Sequence, residues 1–141
     1  MTTTSVPHER VARATPSLWL SALVAVVAAA AATALVAAVA RAADVPLTID
    51  GEEIPVAGFA MMTVIVSAVG VLLAAALGRW APRPRATFTW VAVALTLASF
   101  VPSLTADTDT ATNVVLVTTH VVAAAIVIPA LARALPDRHT E

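Results

Sequence analysis

The chain has 141 residues, room for one domain, with 60% hydrophobic and 12% charged residues against roughly 45–50% and 25% in soluble domains. So apolar a chain has too little polar surface to stay dispersed in water, which points to the bilayer as its solvent. There is no cysteine, which excludes disulfides, zinc–thiolate sites, iron–sulfur clusters and thiol redox chemistry, and a net charge of −1 excludes a global basic field for nucleic acid.

Residues 1–17, rich in Thr, Ser, Pro and Arg, read as a disordered tail. Four stretches without Asp, Glu, Lys or Arg follow: Leu18–Ala40, Val56–Leu77, Thr87–Leu104 and Asn113–Ala132, of 23, 22, 18 and 20 residues. As helices they span roughly 27 to 35 Å, which matches a hydrocarbon core about 30 Å thick. Helix is the required form, because hydrocarbon supplies no partner for exposed backbone groups. The fold expected is all-α: a four-helix transmembrane bundle over residues 18–135, followed by a short tail at 136–141. Pro102 lies near the end of the third stretch, and Pro129 near the end of the fourth should kink it.

The first stretch has a competing reading. Met1–Ala43 has the parts of a cleaved signal peptide, with Arg10 and Arg13 before the apolar run and Ala38-Val39-Ala40 as an A-x-A site. The run of 23 residues is well beyond the 7–15 of a signal core, so a retained anchor is expected.

The connections are short. Leu47–Ile54 resembles a small β-hairpin around Asp50-Gly51, placed to lie over one mouth of the bundle. Arg79–Arg85 (RWAPRPR) is a stiff loop. In the last loop, Thr105–Thr112, Asp109 or Thr110 should cap the fourth helix. The pair Asp107-x-Asp109 lacks the Gly and Glu of a calcium loop, so capping and solubility are its expected roles.

The charges orient the bundle. Seven of the eight basic residues, all arginine, fall on one side: Arg10, Arg13, Arg79, Arg83, Arg85, Arg133 and Arg138. Only Arg41 falls on the other, with Asp44, Asp50, Glu52, Glu53, Asp107 and Asp109. The positive-inside rule makes the arginine side cytoplasmic, with both termini there (N-in/C-in), and the hairpin extracytoplasmic. Trp19, Trp80 and Trp90 sit at the same ends as the arginines, as interfacial indoles do.

No phosphate-binding loop, nucleophile elbow, H-E-x-x-H or ligand cluster is present, so neither an enzyme nor a cofactor or metal site is expected. Polar residues inside the spans carry the remaining signal. Thr63, Ser67, Gly70 and Ala74 share one helical face, as do Thr89, Thr96, Ser99 and Ser103, and Asn113, His120, Ala124 and Val127. Small and polar residues gather where membrane helices touch, and Gly70-x-x-x-Ala74-x-x-x-Gly78 is a ladder of that kind. The alanine-rich first helix does not reveal its contact face. Thr33, Thr63 and His120 each lie seven residues from an extracytoplasmic end, roughly 10 Å deep, with Thr96 and Ser99 at eight and five. If these faces converge, Thr33, Thr63, Ser67, Thr96, Ser99 and His120 form one polar layer.

His120 is the one ionisable side chain within the four stretches. Intramembrane ionisable groups suggest function, here a proton-linked step or a ligand contact. The plainer alternative is a neutral imidazole that bonds a hydroxyl or carbonyl and fixes register, and Thr and Ser can bond their own helix's carbonyls in the same spirit.

Ile54–Thr63 (IPVAGFAMMT) and Thr119–Arg133 (THVVAAAIVIPALAR) resemble a family of small four-helix membrane proteins of high-GC Gram-positive bacteria. The resemblance runs from the first helix to Arg133 and implies the same topology; it implies no activity.

Two functions are therefore expected to compete. One is a non-enzymatic bundle acting by association, as an accessory subunit, assembly factor or homo-oligomer, with the lipid bilayer, a second copy or another membrane protein as partner. The other is a small transporter or channel-like element, with a funnel lined by Thr63, Ser67, Ser99 and His120. A C-terminal alkaline phosphatase fusion is expected to be inactive; activity would place the C-terminus outside and refute the orientation.

Overall fold

The computed structural model describes residues 17–137; of the expected tails at 1–17 and 136–141, residues 1–16 and 138–141, with Arg10, Arg13 and Arg138, lie outside the described residues. The elements are α1 (Leu18–Ala42), β1 (Thr48–Ile49), β2 (Glu52–Glu53), α2 (Val56–Trp80), α3 (Pro84–Ala98), α4 (Phe100–Thr105) and α5 (Thr110–Ala134). Four of the resulting units are long and apolar enough to cross a membrane: α1, α2, the α3–α4 pair and α5. This is a multi-pass membrane protein.

Local chemistry sets the helix ends. Ser17 Oγ accepts from Leu20 N–H at 3.3 Å and starts α1. Pro84 occupies the first turn of α3, where its missing N–H costs nothing. Asp109 caps α5, its Oδ1 accepting from Ala111 N–H at 2.9 Å and Thr112 N–H at 3.0 Å, while the Thr112 hydroxyl donates to Oδ2. The hydroxyl first, and then the Thr112 amide, hold the Asp109 carboxyl below the ordinary carboxylate range.

The spans form a square. α1 packs on α2 and α5, α3 packs on the same two from the opposite corner, and α2 touches α5 across the diagonal. The face of α1 that the sequence concealed is Ala22, Ala25, Ala29, Thr33, Ala37 and Ala40, all buried. Alanine side chains let the backbones come close, which substitutes for the hydrophobic drive that lipid does not provide. The large side chains of α1 point the other way: Leu23, Val24, Val27, Leu35 and Val39 are exposed to the surroundings.

Two apolar clusters fill the interior. One gathers Ala22, Ala29, Val71, Ala74, Phe88, Val127, Leu131, Ala132 and Leu135 toward the end that carries Trp19, Trp80 and Trp90. The other gathers Ala37, Ala40, Leu47, Phe59 and Leu116 toward the hairpin.

The expected hairpin forms, with Thr48 opposite Glu53 and Ile49 opposite Glu52. Its turn has positive φ at both central residues, 52° at Asp50 and 82° at Gly51, as a primed two-residue turn requires. Leu47, just before it, is fully buried among residues of α1, α2 and α5. Its φ of 50° is a left-handed conformation that costs a leucine roughly 1–2 kcal/mol, which burial of its side chain, at roughly 2 kcal/mol, offsets. The hairpin is also strapped down. Asp50 N–H donates to the Asp107 carbonyl at 2.9 Å, Thr108 Oγ1 donates to the Thr48 carbonyl, and Arg41 pairs with Glu53 at 2.6 Å while donating to the Ile54 carbonyl.

The third span differs from the expected single helix over Thr87–Leu104. It begins earlier, at Pro84, and is interrupted at Ser99. Pro102 explains the break: it has no N–H for the carbonyl four residues back and its ring crowds that carbonyl, which belongs to Ala98, the last residue of α3. Pro129 poses the same problem to Ala125, yet α5 runs through it without interruption. α5 is packed between α1 and α3, whereas the third span is the least enclosed of the four.

The glycine ladder is half used. A Cβ at Gly70 would meet nothing within 4 Å, while one at Gly78 would lie 3.0 Å from Leu135 Cδ2. Ala74 between them is fully buried. Gly70→Ala is expected to leave stability unchanged or raise it by up to about 1 kcal/mol, the helix-propensity difference. Gly78→Ala should fare worse, because the Leu135 methyl must shift. Unfolding midpoints in a mixed-detergent titration check this, and a Gly70→Ala variant that is the weaker of the two would place the seam elsewhere.

Candidate functional site

The polar residues of the spans lie between the two apolar clusters, and their hydrogen bonds decide whether they make one site. Thr33 on α1 is fully buried, and its Oγ1 lies 2.9 Å from Thr63 Oγ1 on α2. Each hydroxyl has one proton. Thr63 Oγ1 donates to the Phe59 carbonyl at 2.7 Å, so Thr33 donates to Thr63, with the Ala30 carbonyl at 3.1 Å as its alternative acceptor. This joins α1 to α2 at the depth where the sequence placed both threonines.

The other predicted members bond within their own helices. Thr96 Oγ1 donates to the Ala92 carbonyl at 2.8 Å, and Ser99 Oγ donates to the Thr96 carbonyl at 2.6 Å beside the break in the third span. Ser67 is buried on α2 and makes no side-chain hydrogen bond among the described residues. His120 Nδ1 lies 2.6 Å from the Leu116 carbonyl; a carbonyl only accepts, so Nδ1 carries the proton. The imidazole meets the Phe100 ring edge-on, with centroids 6.2 Å apart and planes at 88°, a contact between α5 and the first residue of α4.

The structure therefore brings Thr33 and Thr63 together and does not gather Thr96, Ser99 and His120 around them by hydrogen bonds. The phase of α5 is the reason. Its buried positions are Thr112, Leu116, Thr119, Val127, Leu131 and Ala132, so of the face read through Asn113, His120, Ala124 and Val127 only Val127 is buried, and the first half of that face is rotated by about one residue, roughly 100°. Thr119, which sequence reasoning missed, is the buried polar residue of α5 at this level, and it donates to the same Leu116 carbonyl at 2.8 Å. The signal that could have found it is the spacing of Thr112, Leu116 and Thr119 with Val127 and Leu131. Asn113 is half-buried, and its Oδ1 is buried without a hydrogen-bond partner among the described residues.

A cleft exists elsewhere. A shallow apolar groove of about 580 Å³ runs between α1 and α5 at the hairpin end, lined by Val36, Val39, Val45, Val114 and Thr118 among others. None of Thr63, Ser67, Ser99 and His120 lines it. Among the described residues no group of three or more His, Cys, Asp or Glu is placed to hold a metal ion.

The comparisons with known proteins turn on the whole bundle. A family model described as a family of unknown function (DUF6069) matches residues 13–137. The chain belongs to that family. The match takes in all four spans and the hairpin, and both stretches that carried the resemblance, Ile54–Thr63 and Thr119–Arg133, lie inside it. No curated protein and no solved structure matches the chain.

The Thr33–Thr63 bond can be measured by a double-mutant cycle. Thr63→Val leaves Thr33 its fallback on Ala30, so the coupling between Thr33→Val and Thr63→Val is expected to be about 0.6 kcal/mol, within the ~1.7 kcal/mol ceiling for such bonds in membranes. Zero coupling would mean that the two hydroxyls act independently.

Proposed function

We propose that the protein is a non-enzymatic helix bundle of a bacterial plasma membrane that acts by association, as an accessory subunit, an assembly factor or a homo-oligomer, with both termini in the cytoplasm. The observation that supports association is the state of the intramembrane polar groups. Thr33 and Thr63 satisfy each other, Thr96, Ser99, Thr119 and His120 bond their own helices, and the groove at the hairpin end includes none of the residues a solute funnel would need. An imidazole that bonds its own backbone and rests against Phe100 fixes register between α5 and α4; with no ion pair to a carboxylate among the described residues, it makes a poor proton relay. The orientation rests on the arginines and tryptophans of one end against the acids of the other.

Purification of the full chain in mild detergent, followed by cross-linking and mass spectrometry, tests this reading. A defined homo-oligomer or a reproducible membrane-protein partner is expected, unchanged in His120→Ala. A monodisperse monomer without partner, together with solute uptake that His120→Ala abolishes, would favour the small transporter instead.

A further inference from the structure

The two ends of the bundle treat their arginines differently. At the hairpin end Arg41 is committed to Glu53 and the Ile54 carbonyl, within a surface where Asp44, Asp50, Glu52, Glu53, Asp107 and Asp109 bring the sum to −5. At the tryptophan end the described residues are Arg79, Arg83, Arg85 and Arg133 against Asp137, which is four minus one, or +3. Asp137 is already paired with Arg85 at 2.5 Å. Arg79, Arg83 and Arg133 are exposed and have no acidic or carbonyl partner among the described residues.

We propose that Arg79, Arg83 and Arg133 form a binding surface for the phosphate of anionic phospholipid headgroups. The three side chains come from adjoining parts of the fold. Arg79 and Arg133 stand in the last turns of α2 and α5, and the approach of Gly78 to Leu135 puts those helix ends side by side. Arg83 precedes the first turn of α3 on a loop that Pro82 and Pro84 stiffen and that buried Ala81 and Pro84 pin to the bundle. The backbone that carries Arg83 is thus fixed, and the fork of a guanidinium matches two phosphate oxygens at once.

The helix ends at this face contribute with opposite signs. α2 and α5 end here with their negative dipole poles, which repel an anion from the backbone and leave its recognition to the side chains. α3 begins here, and its first turn has no acidic residue and no side-chain cap. Depth selects a lipid over a free ion. Trp19, Trp80 and Trp90 are 65%, 76% and 76% exposed, and Trp80 directly follows Arg79. Indoles exposed at a span's end settle at the headgroup level, which sets the arginines level with the lipid phosphates. The surface works in whichever leaflet that end faces.

Native mass spectrometry of the full chain, delipidated in neutral detergent and titrated with phosphatidylglycerol, phosphatidylcholine or inorganic phosphate, tests the surface. Phosphatidylglycerol should bind more tightly than phosphatidylcholine, and each of Arg79→Gln, Arg83→Gln and Arg133→Gln should weaken it about fivefold. Arg41→Gln at the other end should change nothing. Equal binding of the two lipids, or a preference that survives all three substitutions, would overturn the proposal, and inorganic phosphate bound as tightly as the lipid would overturn its assignment to the membrane. If the triple variant does not fold, Arg83→Gln alone carries the test, since this exposed loop residue makes no bond that the fold needs.

Discussion

The bundle depends on how closely α1 can approach its two neighbours. In lipid an exposed leucine is as well solvated as a buried one, so burying large side chains brings no advantage and helices associate through contact area and hydrogen bonds. α1 meets this constraint by turning alanines inward from Ala22 to Ala40 and large residues outward. One position on that inner face is polar, Thr33, and it makes the direct hydroxyl bond from α1 to α2. α3 never needs to reach α1, because α2 and α5 stand between them and touch each other.

The same solvent dictates where hydroxyl protons go. Thr89, Thr96, Ser99, Thr118 and Thr119 each donate to a carbonyl three or four residues back, so their polar groups are satisfied whether or not a neighbour is present. Beside the break in the third span the same habit recurs, with Ser99 Oγ donating to the Thr96 carbonyl and Ser103 Oγ to the Ser99 carbonyl at 3.4 Å. Polar residues at similar depth therefore need not form a common site.

The features legible in the sequence were those with a local cause. Charge-free length marked the spans, Asp50-Gly51 marked the hairpin, and Asp109 ahead of a threonine-rich turn marked the cap of α5. Features set by rotation about a helix axis were harder. A row of alanines has no hydrophobic phase, so the inner face of α1 could not be read, and on α5 an error of one position exchanged Thr119 for His120. Depth survives such an error, since one residue is about 1.5 Å along the axis, whereas facing does not, since it is roughly 100° around it. The two prolines add a second lesson. Pro102 and Pro129 carry the same local signal, yet the less enclosed span is interrupted and the more enclosed one is not.

The strap over the hairpin end joins residues far apart in the chain. Leu47 and its turn emerge between the first two spans, yet their partners Asp107, Thr108 and Leu116 belong to the last loop and the last span. Whatever order the spans enter the bilayer during synthesis, the hairpin's seat on α1 and α2 is incomplete until the last loop and the fourth span are in place, and only part of the burial that offsets the left-handed backbone at Leu47 is available before then. Closure of that end is thus a late event that reports on the whole chain: a bundle missing its final span would keep the Arg41 strap but lack Leu116 against Leu47 and Phe59, a surface distinct from that of the finished protein.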